Sequence, residues 1–134
     1  MSDFSWKIRV YYEDTDAGGV VYHSQYLNFF ERARTEWLRA RNFDQSRLAE
    51  DEDIVFVVRN MDVEFIKPAQ LDNEVLVSVN LKHVGAASLQ LSQTMIRVSD
   101  QQLLTRAEVR VACLTAREFK PTRIPNNLRK EILQ

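Results

Sequence analysis

The sequence predicts an α+β fold, an antiparallel sheet of five strands wrapped around one long helix. Three observations predict it. Four of the five strand-like segments follow one another after the long helix. Most strands alternate apolar and polar residues, as a sheet covered on one side does. The helix carries an aromatic stripe that needs a broad apolar surface to cover it.

The elements follow in order. Trp6 to Tyr12 (WKIRVYY) alternates around Ile8 and Val10 and reads as the first strand. Glu13 to Gly19 sets acids against two glycines, a loop. From His23 to Arg41 the period becomes helical. Tyr22, Tyr26, Phe29, Phe30, Ala33, Trp37 and Ala40 share one stripe, with Glu31, Arg32, Thr35 and Arg39 opposite. Gln45 to Asp53 reads as a short helical turn running into a loop. Val55 to Ile66 is a strand ended by Pro68, with Val57, Arg59, Met61, Val63 and Phe65 expected on one face. Glu74 to His83 alternates cleanly through Val75, Val77, Val79 and Leu81. Ser88 to Val98 alternates more weakly around Leu89 and Leu91. Leu103 to Leu114 sets Leu103, Ala107, Val109, Val111 and Cys113 against Arg106, Glu108 and Arg110. Gly85-Ala86-Ala87 and Ser99-Asp100-Gln101 fit short hairpin connections.

The bulk numbers bound the function. At 134 residues the chain has the length of one domain, 1–134, and a chain this short gains burial by oligomerising. Eighteen Lys and Arg against nineteen Asp and Glu leave a formal charge of −1, which argues against nucleic acid or an anionic membrane as main partner. The stretch from Arg117 to Gln134 is locally basic through Arg117, Lys120, Arg123, Arg129 and Lys130; a solvated tail or a docking surface for a phosphorylated ligand both fit. Cys113 is the single cysteine, which excludes an intramolecular disulfide and a thiolate metal cluster. The start, Met1 to Lys7, has no apolar signal core, and no segment reaches the ~20 apolar residues of a membrane helix. A cytoplasmic location is the expectation.

Chemistry concentrates between Tyr11 and Tyr26, YYEDTDAGGVVYHSQY. Three acids in four residues precede two glycines and then the helix. A helix N-terminus carries unpaired N–H groups and partial positive charge, which favour a carboxylate nearby or polarise a carbonyl oxygen. The glycines allow close approach of backbone to ligand. Together these are the parts of an acyl-transfer site. A turn held by aspartate side chains is the bland alternative. A calcium loop, Asp14-x-Asp16-x-Gly18-Gly19, is disfavoured because its fifth position is Gly18 and its twelfth is Gln25. His23 and His83 are too few for a metal site, and no Ser or Cys nucleophile elbow occurs. His83, beside a hairpin turn, is expected to be structural.

The run Tyr12-Glu13-Asp14-Thr15-Asp16-Ala17-Gly18-Gly19-Val20-Val21-Tyr22-His23, followed by Tyr26 and Leu27, resembles the signature of the 4-hydroxybenzoyl-CoA thioesterase family. It is most similar to the YbgC branch, the Tol–Pal-associated acyl-CoA thioesterases. Phe65-Ile66-Lys67-Pro68-Ala69 and Arg123-Ile124-Pro125 extend the resemblance along essentially the whole chain. The resemblance implies a hotdog fold and a homodimer, or a tetramer of two dimers, with active sites at the subunit interface. It implies an essential carboxylate at Asp16, a carbonyl-polarising N–H at His23, and substrate-lining roles for Tyr12, Gly18, Val20, Tyr22 and the His23 side chain. Arg123, with Lys120, is a candidate for the CoA phosphates. A related branch with a mid-helix carboxylate points instead to Glu31 or Glu36 and is not favoured.

The expected activity is hydrolysis of short- to medium-chain aliphatic acyl-CoA, with Asp16 as nucleophile or general base and no cofactor. Aryl-CoA and acyl-carrier-protein thioesters are alternative substrates. A hydratase or dehydratase on the same fold, and a non-catalytic acyl-thioester binder, are the alternative classes. The first pairs a histidine with an acid in a pattern that the Asp-Thr-Asp run does not supply. The second gives no reason to keep Asp16.

Overall fold

The computed structural model describes residues 4–133; the leader-free reading of Met1 to Asp3, and Gln134, lie outside them. The elements are β1 (Phe4–Arg9), a single 3-10 turn (Tyr12–Asp14), α1 (His23–Arg39), α2 (Gln45–Glu52), β2 (Ile54–Phe65), β3 (Glu74–Val84), β4 (Ser88–Arg97), β5 (Leu103–Thr115) and α3 (Asn126–Ile132). The five strands form one antiparallel sheet in the order β1-β3-β4-β5-β2. This is the expected α+β architecture with α1 packed on the sheet.

The core forms where the periodicities agree. Tyr26, Phe29, Phe30, Ala33 and Trp37 of α1 are buried, against Val75, Val77, Val79 and Leu81 of β3 and Leu89, Leu91 and Met95 of β4. Val109, Val111 and Cys113 complete the sheet side. The weak alternation of β4 has a specific source. Gln93 faces the core with no exposed surface, and its Nε2 donates to Phe30 O and Ser78 O, each at 3.1 Å. Its Oε1 accepts from Arg34 Nη1 at 2.9 Å, so a buried amide is fully employed.

Four expectations are corrected. β1 ends at Arg9 rather than Tyr12: Val10 N still donates in register to Asn73 O just before β3 begins, but the next amide, Tyr11 N, is taken by the Asp14 carboxylate. A local side-chain acceptor outcompetes the strand there. The stripe on α1 loses both its ends: Tyr22 and Ala40 are exposed as the residues flanking the helix. Leu38 is buried instead. The single face expected for Val57 to Phe65 is broken by a register shift between Val58 and Asn60. Phe56 packs on the core before the bulge and Met61 and Val63 after it, so the parity changes. Val57, Val58 and Phe65 stay exposed on this edge strand.

The last correction concerns the basic tail, which is not simply a solvated stretch. Leu128 and Ile132 of α3 and the preceding Ile124 are buried, and Arg129 Nη1 donates to Gly85 O at 2.8 Å. The helical spacing Ile124, Leu128, Ile132 was present in the sequence under the charges. Among the described residues no helix is long and apolar enough to cross a membrane.

Candidate active site

The loop from β1 to α1 is built around one buried acid. Asp14 is only 3% exposed. Its Oδ2 accepts from Tyr11 N at 2.8 Å and its Oδ1 from Gln25 Nε2 at 2.7 Å, while its carbonyl accepts from Tyr22 N at 3.1 Å. Gln25 Oε1 in turn accepts from Asn28 Nδ2 at 2.8 Å. Asp14 therefore ties the start of the loop to the first turn of α1.

Asp16 occupies the tip. Its amide donates to Val20 O at 2.9 Å, its carbonyl accepts from Gly19 N at 3.0 Å, and Thr15 bridges Val21. The side chain is exposed, with Oδ1 accepting from Gly18 N at 2.8 Å. Gly19 sits at φ 79°, a left-handed conformation that glycine adopts without strain. A Cβ on Gly18 would stand 3.3 Å from Asp16 Oδ1, so a side chain there would crowd the carboxylate.

The other side of the loop is held by the segment after β2. Val21 N donates to Ala69 O, Leu71 N to Gly19 O, and Val20 bridges Gln70. Tyr26 Oη accepts from Ala69 N at 2.9 Å, and burial pushes the phenol above its ordinary pKa against the lowering effect of that N–H. Phe65 closes the corner, with its ring centroid 4.8 Å from the His23 ring and 5.2 Å from the Tyr26 ring.

At the helix start, Tyr22 gives no side-chain cap, and Gln25 N folds back onto Tyr22 O. The His23 and Ser24 N–H groups have no acceptor among the described residues. They open beside a cleft of about 200 Å³ lined by Val20, Val21, His23, Tyr26, Phe65 and Lys67 among others. Uncapped donors at a helix N-terminus favour a partially negative oxygen.

Of the residues singled out in the sequence, Val20 and His23 line this cleft, while Asp16 and Gly18 sit at the tip of the adjoining loop and are not among its lining residues. Tyr22, 60% exposed, immediately precedes His23, and Tyr12 lies in the 3-10 turn with 82% exposure. Arg123 does not join them within one chain. It is fixed beside the far end of β5 by Thr122 N on Cys113 O and Ile124 N on Ala86 O. Phe65 pairs with Thr105 at the opposite end of β5, about 25 Å away at ~3.3 Å per residue. Glu31 lies two turns along α1, and Glu36 is paired with Arg39 Nη1 at 2.6 Å. Asp14 and Asp16 turn to different partners and do not form the shared ligand set that a calcium loop needs. Burial pushes the Cys113 thiol up to about 11, so it is no nucleophile at neutral pH.

Sequence reasoning missed the structural role of Asp14 and Gln25, since nothing in a run of three acids says which one turns inward. Tyr26 was read as part of the α1 stripe and of the resemblance, without a role for its hydroxyl. Phe65 and Lys67 carried a resemblance without a role; the turn after β2 that returns them to α1 was not visible.

The model of the thioesterase-like superfamily matches residues 10–132. The acyl-CoA thioesterase YbgC of Haemophilus influenzae is 43% identical over 126 residues, covering 94% of this chain and 91% of that protein. A probable thioesterase from Bartonella henselae superposes with a TM-score of 0.86 at 38% identity, over 92% of this chain and all of that one. A 1,4-dihydroxy-2-naphthoyl-CoA thioesterase from Synechocystis superposes at 0.91 with 24% identity, over 99% and 97% of the two chains, a likeness of fold.

Asp14→Ala should leave Tyr11 N and the Gln25 amide without their acceptor and cost about 1–3 kcal/mol. Urea unfolding monitored by tryptophan fluorescence checks this, and an unchanged midpoint contradicts the role given to Asp14.

Proposed function

The chain belongs to the thioesterase-like superfamily, in the branch of the acyl-CoA thioesterases YbgC, and on that premise we propose that it hydrolyses short- to medium-chain aliphatic acyl-CoA at the Asp16–His23 cleft. The observation that carries the reading is the uncapped start of α1, with the His23 N–H open beside a loop that presents the Asp16 carboxylate.

In this reading the thioester carbonyl oxygen accepts from the His23 N–H. The carbonyl carbon is thereby made more electrophilic, and charge developing on the oxygen is stabilised. Asp16 takes a proton from a water as that water attacks the carbonyl carbon, or attacks the carbon itself and is released by water afterwards. The C–S bond then breaks, the pantetheine sulfur leaves as thiolate and is protonated to the thiol, and the acid departs. The cleft is small and lined by aliphatic Val20 and Val21 as well as aromatic Tyr26 and Phe65, and its size supports acyl groups of modest length. An acyl-carrier-protein thioester would present the same carbonyl.

The quaternary structure belongs to the same proposal. β2 is a 12-residue edge strand with Val57, Val58 and Phe65 exposed, a surface that soluble proteins cover. Antiparallel pairing of two such edges about a two-fold axis sets the Ile54 end of one chain beside the Phe65 end of the other. The turn bearing Lys120 and Arg123, which adjoins Thr115 and hence Ile54, would then approach the other chain's cleft. A homodimer would thus supply CoA phosphate contacts that one chain lacks, and a pair of dimers is compatible with it.

Asp16→Asn should lower thiol release from octanoyl-CoA by on the order of a hundredfold or more, with the variant folded as wild type; full turnover would refute the assignment. Arg123→Ala should raise KM for acyl-CoA more than it lowers kcat. The expectation fails if KM is unchanged.

A further inference from the structure

The turn that follows β5 carries a conformational outlier. Among the described residues five non-glycines have positive φ: Asn42, Asp53, Asp72, Gln101 and Phe119. The first four are polar, and asparagine and aspartate are the usual non-glycine occupants of this region. Phe119, at φ 54°, is bulky and apolar, so its backbone is strained. Its side chain is 64% exposed and joins no aromatic pair or cation–π contact among the described residues. Packing within the chain therefore does not offset the strain.

The backbone fixes the ring in this place. Phe119 N donates to Thr115 O at 2.9 Å, Thr115 N to Lys120 O at 2.8 Å, and Lys120 N to the Thr115 hydroxyl at 3.2 Å. Asp53 fastens the other side, its carbonyl accepting from Ala116 N and its Oδ1 from Arg117 N, each at 3.0 Å. Cations flank the ring along the chain. Arg117 lies two residues before it, Lys120 one after and Arg123 four after, all exposed. Lys120 Nζ meets Glu118 at 3.1 Å in an exposed ion pair of the kind that contributes little. Arg117 and Arg123 join no ion pair among the described residues. The neighbouring acids are directed elsewhere: Asp53 turns Oδ1 to Arg117 N, while Asp51 and Glu52 line a separate groove with Asp44 and Arg47.

An exposed aromatic face held rigidly among guanidinium and ammonium groups is complementary to a ligand with a flat base and phosphates. We propose that this turn is the subsite for the adenosine 3′-phosphate 5′-diphosphate end of coenzyme A. Adenine stacks on Phe119, and Arg117, Lys120 and Arg123 meet the phosphates. The inference rests on the proposed function and deepens it. In the antiparallel homodimer the turn approaches the other chain's cleft, so one chain holds the nucleotide and the other the thioester. The subsite also selects the substrate class, since an acyl-carrier-protein thioester has the pantetheine but no adenosine.

Calorimetric titration of the full chain with adenosine 3′,5′-bisphosphate tests the subsite without requiring turnover. Adenosine serves as the phosphate-free control and inorganic pyrophosphate as the base-free one. The bisphosphate should bind wild type and Phe119→Trp alike, and Phe119→Leu and Phe119→Asn about fivefold or more weaker. Asparagine suits positive φ, so Phe119→Asn should unfold at no lower temperature than wild type and keep its mass by light scattering. In kinetics, wild type should show a lower KM for octanoyl-CoA than for octanoyl-pantetheine, and Phe119→Leu should narrow that gap. No bisphosphate binding by wild type, equal binding by every variant, or binding matched by adenosine or pyrophosphate would overturn the proposal. So would a Phe119→Asn protein that loses stability or dissociates, which gives the ring to packing between copies. Equal KM for the two thioesters in wild type would overturn it as well, assigning the turn to a free nucleotide. Bisphosphate binding through Phe119 in a protein that hydrolyses no acyl-CoA would uphold the subsite and refute only the proposed function.

Discussion

Phe29, Phe30 and Ala33 of α1 have no exposed surface, and the sheet that covers them holds the helix in one place. A helix fixed in this way must end somewhere definite, and its N-terminal N–H groups must find partners, water or a ligand. Here the first turn emerges where β1 hands over to the loop and β2 turns back after Phe65. No side chain caps it. The same burial that stabilises the fold therefore leaves two backbone donors unpaired at the start of α1, where His23 borders a cleft and the loop that carries Asp16 ends.

The loop is made rigid by carboxylates with opposite tasks. Asp14 is buried and spends both oxygens on Tyr11 N and Gln25, whereas Asp16 is exposed and spends one oxygen on Gly18 N. Two acids, two residues apart, are thus separated by direction alone into a buried fastening and an exposed carboxylate, the one to which the proposal gives the reactive role. Rigid placement of a catalytic carboxylate matters because misplacement on the order of an ångström is costly in rate. The hydrogen bonds from Val21 and Leu71 to and from the segment after β2 hold the loop from its other side.

Much of this was legible in the sequence, because the elements bury one face with a regular period. α1 began at His23 as the stripe required, and β3 followed its valines residue for residue. Failures arose where a side chain or an extra residue broke the period. Asp14 ended β1 early, the shift at Val58 reversed the face of β2, and Gln93 blurred β4. α3 was hidden because charges outnumber its apolar anchors, although Leu128 and Ile132 are fully buried. In the site, Asp16, Gly18, Val20 and His23 were legible as neighbours along a short loop. Phe65 and Lys67 were not, since only the tertiary return of β2 brings them to α1. The separation of Arg123 from the cleft likewise depends on strand order, which spacing does not reveal.

Whether the open N–H of His23 receives the carbonyl oxygen beside Asp16 can be read by amide NMR of the protein titrated with a non-hydrolysable ketone analogue of octanoyl-CoA. The His23 amide proton should move downfield as it gains an acceptor, with the next largest changes at Ser24 and Gly18. Saturable binding that leaves the His23 and Ser24 amides unmoved, with changes clustered elsewhere, would contradict it.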